Sequence, residues 1–153
     1  MSQIGKMAPD FTLPRDGGGS VTLSGMRPSK VVLYFYPKDS TPGCTTQAIG
    51  FTEHLQAFTD AGCEIIGISK DSVKKHDNFV KKHSLGITLA SDADSDVCEQ
   101  YGVWKEKSMY GKTFMGIERS TFLISVDGTL LQEWRKVRVK DHVEAVLEAV
   151  QAL

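Results

Sequence analysis

The chain has 153 residues, of which 41% are apolar and 24% charged, a composition typical of a globular protein and unlike that of a disordered chain. Its formal net charge is −1, from 18 Lys and Arg against 19 Asp and Glu, which argues against a general nucleic-acid or anionic-membrane binder. The longest apolar run, Val31–Tyr36, is far shorter than the ~20 residues of a membrane span, and the N-terminus lacks the apolar stretch of a signal peptide. We therefore expect one soluble, cytoplasmic domain over residues 1–153.

The first third of the chain predicts a hairpin followed by a buried strand. Two short β-like segments, Phe11–Leu13 and Val21–Leu23, flank the run Gly17–Gly19, which predicts a hairpin turn. The apolar, β-branched and aromatic run Val31–Tyr36 ends at Pro37, and this pattern is typical of a strand in the centre of a sheet.

The middle of the chain alternates helices and strands. Apolar residues at helical spacing predict a helix that ends near Gly62, and Ser72 can cap a second helix that runs to about His83. The remaining predicted elements of this part are two buried strands and a short helix: Glu64–Ser69, Ile87–Ala90 and Ser95–Tyr101.

The last third predicts a long loop, a hairpin and a helix. We interpret Val103–Glu118 as a loop, whereas Thr121–Ser125 and Leu130–Trp134 flank an Asp-Gly turn and predict a hairpin. The final helix carries an apolar stripe made of Val143, Val146, Leu147, Val150 and Leu153. Strands that alternate with helices, followed by a hairpin and a helix, indicate an α/β protein with a mixed sheet.

The cysteines restrict the possible chemistry. The three residues Cys44, Cys63 and Cys98 are odd in number and have no C-x-x-C spacing, which excludes zinc ribbons and dithiol redox motifs and fits a reducing compartment. Any thiol chemistry must therefore start from one cysteine that acts with neighbours of other types.

Cys44 has the most informative position. Thr41 is a preferred N-cap residue and Pro42 suits the first helical position, so Cys44 falls in the first turn of a helix that follows a buried strand. Unpaired backbone N–H groups and the helix dipole favour a thiolate there, as a nucleophile needs. A small apolar side chain in the core is the other interpretation, and position alone leaves both open.

The residues around Cys44 resemble a known family. The pattern Pro37-x-x-x-Thr41-x-x-Cys44 matches the active-site signature of peroxiredoxins, and FYPKDSTPGCT resembles their bacterioferritin comigratory protein subfamily, PrxQ. The similarity continues through Ala8–Pro14 and Tyr101–Ile124, so that it spans nearly the whole chain.

The resemblance implies a thioredoxin-like fold, with helices flanking a mixed central sheet and an N-terminal β-hairpin extension. It also implies a thiol peroxidase for hydrogen peroxide and small organic hydroperoxides, with no metal or bound cofactor. Cys44 would be the peroxidatic cysteine that becomes a sulfenic acid. Thr41 would orient the peroxide, Pro37 would shield the thiolate, and Arg119 would favour the thiolate and stabilise charge on the peroxide oxygens. The backbone N–H groups of Gly43 and Cys44 would complete the anion site.

The sequence departs from many family members at the resolving cysteine. Ile49 occupies the usual position five residues after Cys44, and the predicted helix from Ser72 to about His83 contains no cysteine. Cys63 and Cys98 remain as candidates, although a core position is the simpler interpretation of each. We therefore expect a one-cysteine cycle with an external reductant, either thioredoxin or glutathione with glutaredoxin, and a monomer or weak dimer.

Three other hypotheses concern the scaffold, the thiol and the acidic residues. A slow thiol sensor or chaperone-like binding protein on the same scaffold stays open, whereas Thr41 stands where a disulfide oxidoreductase needs its first cysteine. The acidic run Asp92–Asp96 starts like a calcium loop, but Val97 and Val103 stand where that loop needs glycine and glutamate.

Overall fold

A five-stranded mixed sheet forms the centre of the protein in the computed structural model, which describes residues 3–153. Met1 and Ser2, the first residues of the N-terminus that we expect not to be a signal peptide, lie outside the described residues. The strands are β1 (Thr12–Pro14), β2 (Ser20–Thr22), β3 (Lys30–Phe35), β4 (Cys63–Ser69), β5 (Thr88–Ser91), β6 (Trp104–Met109), β7 (Lys112–Ile117), β8 (Ser120–Ile124) and β9 (Leu130–Trp134).

The central sheet has the order β5-β4-β3-β8-β9. β3 pairs in parallel with β4, which pairs in parallel with β5, whereas β3–β8 and β8–β9 are antiparallel. The predicted mixed sheet is therefore confirmed. β3 is its middle strand, and all of β3 after Lys30 is buried, as the apolar run in the sequence indicates.

Helices and a small hairpin cover the two faces of the sheet. The helices are α1 (Pro42–Glu53), α2 (Leu55–Asp60), α3 (Val73–His83), α4 (Val97–Gln100) and α5 (His142–Gln151). α1, α2, α3 and α5 pack on one face, in a cluster that includes Tyr34 and Phe51. α4 and the β1–β2 hairpin pack on the other face, in a cluster that includes Phe35 and Leu13.

The prediction of a loop over Val103–Glu118 is wrong. This segment forms the antiparallel hairpin β6–β7, whose turn consists of Tyr110 and Gly111, both with positive φ. The alternation of side chains is weak here, because most residues of both strands are exposed. A strand without a buried face lacks the period-2 hydrophobic signal.

Other predicted boundaries need small changes. The long helix predicted up to Gly62 is interrupted at His54, which separates α1 from α2. Leu153, assigned to the apolar stripe of the last helix, lies beyond α5 and is 60% exposed. The predicted cap of α3 is confirmed, since the Ser72 hydroxyl accepts from the N–H of Lys75.

The N-terminal segment lies along both edges of the central sheet. On the β9 side, Gly5 N–H donates to the carbonyl of Leu130, and Leu130 N–H donates to Lys6. On the β5 side, Asp16 N–H donates to the carbonyl of Leu89, and the Asp16 carboxylate accepts from Leu89 N–H. Within residues 3–153, no helix is both long and apolar enough to cross a membrane.

Candidate active site

The chain runs from β3, the middle strand of the sheet, through a short loop to the start of α1. β3 ends at Phe35, and Tyr36 N–H still donates to the carbonyl of Ile68 before Pro37 turns the chain away from the sheet. Thr41 is the N-cap residue and Pro42 the first residue of α1, as predicted. Cys44 therefore stands in the first helical turn, where backbone N–H groups have no intrahelical partner, and it is only 1% exposed.

Arg119 approaches Cys44 from the neighbouring strand. Arg119 directly precedes β8, and its Nη2 donates to Cys44 Sγ at 3.3 Å. An ideal Cβ on Gly43 would lie 3.2 Å from the same nitrogen, so a side chain at this position would crowd the guanidinium. The structure thus brings Cys44 and Arg119 together although 75 residues separate them in the sequence.

Gln47 also belongs to this group, and the sequence reasoning missed it. It is fully buried one turn after Cys44, and its Oε1 accepts from Arg119 Nη1 at 2.6 Å. Because Arg119 uses its two terminal nitrogens for Gln47 and Cys44, Gln47 fixes the orientation of the guanidinium. A polar residue three positions after Cys44, on the inward stripe that holds Phe51, was the signal available in the sequence.

Thr41 and Pro37 lie on the loop before the helix. The Thr41 hydroxyl donates to the carbonyl of Lys38 at 2.8 Å and does not cap α1. Because its hydrogen is engaged in this bond, the hydroxyl oxygen is left as an acceptor. Pro37 is half-buried at the end of β3.

His142 contacts β8, the strand that follows Arg119, and the sequence did not indicate this contact. His142 is buried at the start of α5, and its Nε2 lies 2.8 Å from the hydroxyl of Thr121. Burial, with a smaller contribution from the Arg119 charge, lowers the pKa of His142 to about 4. The imidazole is therefore neutral near pH 7 and adds no second cation beside Arg119.

The other two cysteines are apart from this site. Cys63 begins β4 and pairs with Lys30 at the opposite end of β3, five residues or about 16 Å of strand from Phe35. Cys98, on α4, packs in the cluster on the other face of the sheet. Burial raises the pKa of Cys63 to about 12 and that of Cys98 even further, so both stay as unreactive thiols at neutral pH.

Comparisons with known proteins agree with this architecture. The family model of the AhpC/TSA family matches residues 4–133. Peroxiredoxin Bcp of Bacillus subtilis is 48% identical over 149 residues, which cover 97% of this chain and 95% of the relative. A structure of Xanthomonas campestris peroxiredoxin Q superposes with a TM-score of 0.88 at 50% identity, over 93% of this chain and 90% of that one.

A second solved structure is similar to nearly the same extent. It comes from a study of the alkyl peroxide reduction activity of the Xanthomonas campestris bacterioferritin comigratory protein. It superposes with a TM-score of 0.88 at 49% identity, over 93% of this chain and 90% of that one.

These similarities define a thioredoxin-like thiol peroxidase, and the fold class expected from the sequence is confirmed. The chain belongs to the AhpC/TSA family and, within it, to the peroxiredoxins of the bacterioferritin comigratory protein type, also called PrxQ.

Proposed function

We propose that Cys44 is the peroxidatic cysteine of this peroxiredoxin. The observation that carries the proposal is the contact of 3.3 Å between Arg119 Nη2 and Cys44 Sγ in the first turn of α1. A guanidinium and an N-terminal helix turn both favour the thiolate, which is the form that attacks a peroxide.

In the reaction, the Cys44 thiolate attacks the terminal oxygen of the hydroperoxide. A sulfur–oxygen bond forms as the oxygen–oxygen bond breaks, which gives Cys44 sulfenic acid and an alkoxide or hydroxide. The departing oxygen takes a proton from solvent and leaves as an alcohol or water. The sulfur of Cys44 is oxidised by two electrons and the peroxide is reduced by two.

The neighbouring residues act on the charge that develops in this step. Arg119 lies where it can donate to the peroxide oxygens, on which negative charge increases as the bond between them lengthens. The backbone N–H groups of Gly43 and Cys44 are further donors at the helix start. Thr41 accepts from the peroxide hydrogen, and Pro37 limits the access of water to the thiolate.

The positions of Cys63 and Cys98 support a one-cysteine cycle. One lies at the far end of the sheet and the other on its opposite face, and Ile49 stands five residues after Cys44. An external thiol would then attack the sulfenic acid, releasing water and leaving a mixed disulfide. A second thiol would free Cys44 and carry away the oxidised pair.

We propose hydrogen peroxide and small organic hydroperoxides as substrates, in line with the alkyl peroxide reduction studied in the Xanthomonas campestris relative. Thioredoxin, or glutathione with glutaredoxin, would supply the thiols. A cytoplasmic setting fits three cysteines that are all free, and a monomer or weak dimer stays our expectation for the oligomeric state.

The test is the intact mass of the reduced protein after one equivalent of hydrogen peroxide, with free thiols alkylated before measurement. We expect one added oxygen atom on Cys44, its absence in Cys44→Ser, and its persistence in Cys63→Ser and Cys98→Ser. Oxidation of Cys44→Ser at the wild-type rate would refute the assignment of Cys44. A loss of two hydrogens in the wild type, with two thiols protected, would instead refute the one-cysteine cycle.

A further inference from the structure

A buried polar network lies beneath the loop that leads to Cys44. His76 on α3 is completely buried, with its Nδ1 2.7 Å from Asp39 Oδ2 and its Nε2 3.0 Å from the carbonyl oxygen of Ala90. Asp39 Oδ1 accepts from the hydroxyl of Tyr36 at 2.6 Å. The mechanism proposed above uses none of these three side chains.

The hydrogen-bonding partners in this network determine which atoms carry the protons. A carbonyl oxygen only accepts, so His76 Nε2 must carry a hydrogen. Burial raises the pKa of Tyr36 well above its ordinary value, and the hydroxyl therefore stays a donor. One further proton lies between His76 Nδ1 and Asp39 Oδ2, where it satisfies both atoms whichever of the two holds it. Every member is thus paired, as a rigid buried network requires.

The network holds the loop through Asp39. This residue is attached by its carboxylate and also by its backbone, because its N–H donates to Asp71 Oδ2 at 2.7 Å. Asp71 in turn accepts from the Ser69 hydroxyl at the end of β4. Residue 39 is therefore joined to β4 and, through His76, to α3.

The backbone of the loop needs such support. Ser40, the next residue, has φ of 66°, a left-handed conformation that is uncommon for residues other than glycine. The same loop holds Lys38, whose carbonyl accepts from the Thr41 hydroxyl, and Pro37, to which we assign the shielding of Cys44. If residue 39 were free, Ser40 would relax, and Thr41 would shift relative to Cys44.

We propose that Tyr36, Asp39 and His76 form a clamp that positions Pro37 and Thr41 over Cys44, an inference that rests on the proposed peroxidase function. All three are positioning residues, since they act through the loop. The clamp gives a role to a buried polar network that borders the apolar and aromatic cluster to which Tyr36 belongs.

The first test compares two substitutions of one residue. Asp39→Ala removes the hydrogen-bond partner of both His76 and Tyr36, and we expect the rate constant of Cys44 oxidation by hydrogen peroxide to fall by about 10- to 100-fold, the usual cost of a small misplacement. Asp39→Asn should restore most of the rate, because its amide can donate to a neutral His76 while its oxygen accepts from Tyr36. Equal rates for Asp39→Ala and the wild type would overturn the clamp.

A matched pair of tyrosines separates positioning from stability. Tyr36 and Tyr101 are both buried, and each hydroxyl donates at 2.6 Å, one to Asp39 and the other to the carbonyl of Pro9. Replacing either by phenylalanine removes the hydroxyl and this hydrogen bond, which is buried at Tyr36 and partly buried at Tyr101; the Tyr36 hydroxyl also lies 3.4 Å from His76 Nδ1. We expect only Tyr36→Phe to slow Cys44 oxidation, by several-fold, with both variants folded. The same slowing in Tyr101→Phe would show that stability alone is responsible and would overturn the proposal.

An activity-independent measurement keeps the clamp testable apart from the enzyme function. Amide hydrogen exchange over residues 38–44 should become faster in Asp39→Ala and Tyr36→Phe, and stay unchanged in Tyr101→Phe. If wild-type Cys44 does not react with peroxide, the proposed function fails, whereas faster exchange in the two variants still supports the clamp. Unchanged exchange in both variants would overturn it.

Discussion

Phe35 and Ser120 are partners across the antiparallel strands β3 and β8. Because the two strands run in opposite directions, the chain that leaves Phe35 towards Cys44 passes the chain that arrives at Ser120 from Arg119. The register of one strand pair therefore places a thiol and a guanidinium at the same edge of the sheet, with 3.3 Å between Nη2 and Sγ. A shift of one residue in this register would also turn the side chains of the shifted strand to the opposite face of the sheet.

Arg119→Ala should lower the rate constant of Cys44 oxidation by hydrogen peroxide by about 10²–10³-fold, a loss typical of a donor that stabilises a developing anion. The rate can be followed by stopped-flow tryptophan fluorescence. Arg119→Lys is the matched control: it keeps the charge but lacks the fork that contacts Cys44 and Gln47 together, so we expect an intermediate rate. A wild-type rate in Arg119→Ala would show that the helix start alone activates Cys44.

Thr41→Val removes the hydroxyl while it retains the shape of the side chain. We expect the same rate constant to fall at least about 10-fold, because an unpaired peroxide hydrogen costs roughly 1–3 kcal/mol. Thr41→Ser keeps the hydroxyl and should stay within a few-fold of the wild type. If valine and serine behave alike, Thr41 acts through the loop backbone and not as an acceptor.

Stability should decrease in mild acid because of His142. Its pKa is about 4 in the folded protein and 6.5 ordinarily, so between these values the unfolded chain takes up a proton that the folded protein refuses. The contribution is fully present above pH 6.5 and is lost as the pH falls towards 4, by about 2 kcal/mol once partial solvent access is allowed for. The test is the free energy of unfolding in urea, measured for the wild type and His142→Gln over this pH range. If both proteins lose the same free energy of unfolding as the pH falls, His142 is not the cause of the decrease.

Gly67→Ala should destabilise the fold by about 1–3 kcal/mol, the usual cost of overpacking a core. An ideal Cβ at this position of β4 would lie 2.6 Å from Tyr34 Cζ and 2.8 Å from Leu89 Cδ2. Gly25→Ala is the control, since its Cβ would meet nothing closer than 3.7 Å. Denaturant midpoints of the two variants give the comparison, and equal midpoints would mean that Tyr34 moves aside freely.

The sequence predicts those features whose signal is local. The apolar run of β3, the Ser72 cap and the position of Cys44 after Thr41 and Pro42 all follow from propensity and spacing. Gln47 and His142 were missed because their roles depend on partners 72 and 21 residues away, which spacing does not reveal. The β6–β7 hairpin was missed for the opposite reason, since its exposed strands carry little hydrophobic pattern.

The N-terminal segment has a consequence for association between copies of the chain. Unpaired edge strands are templates for further strands, and they lead to aggregation when left long and bare. Here the N-terminal segment covers both edge strands of the sheet. Gly5 and Lys6 form hydrogen bonds with the backbone of β9, and Asp16 forms them with the backbone of β5. Removing the first sixteen residues would expose both edges at once, together with the core beneath β1, so we expect such a truncated chain to associate edge to edge.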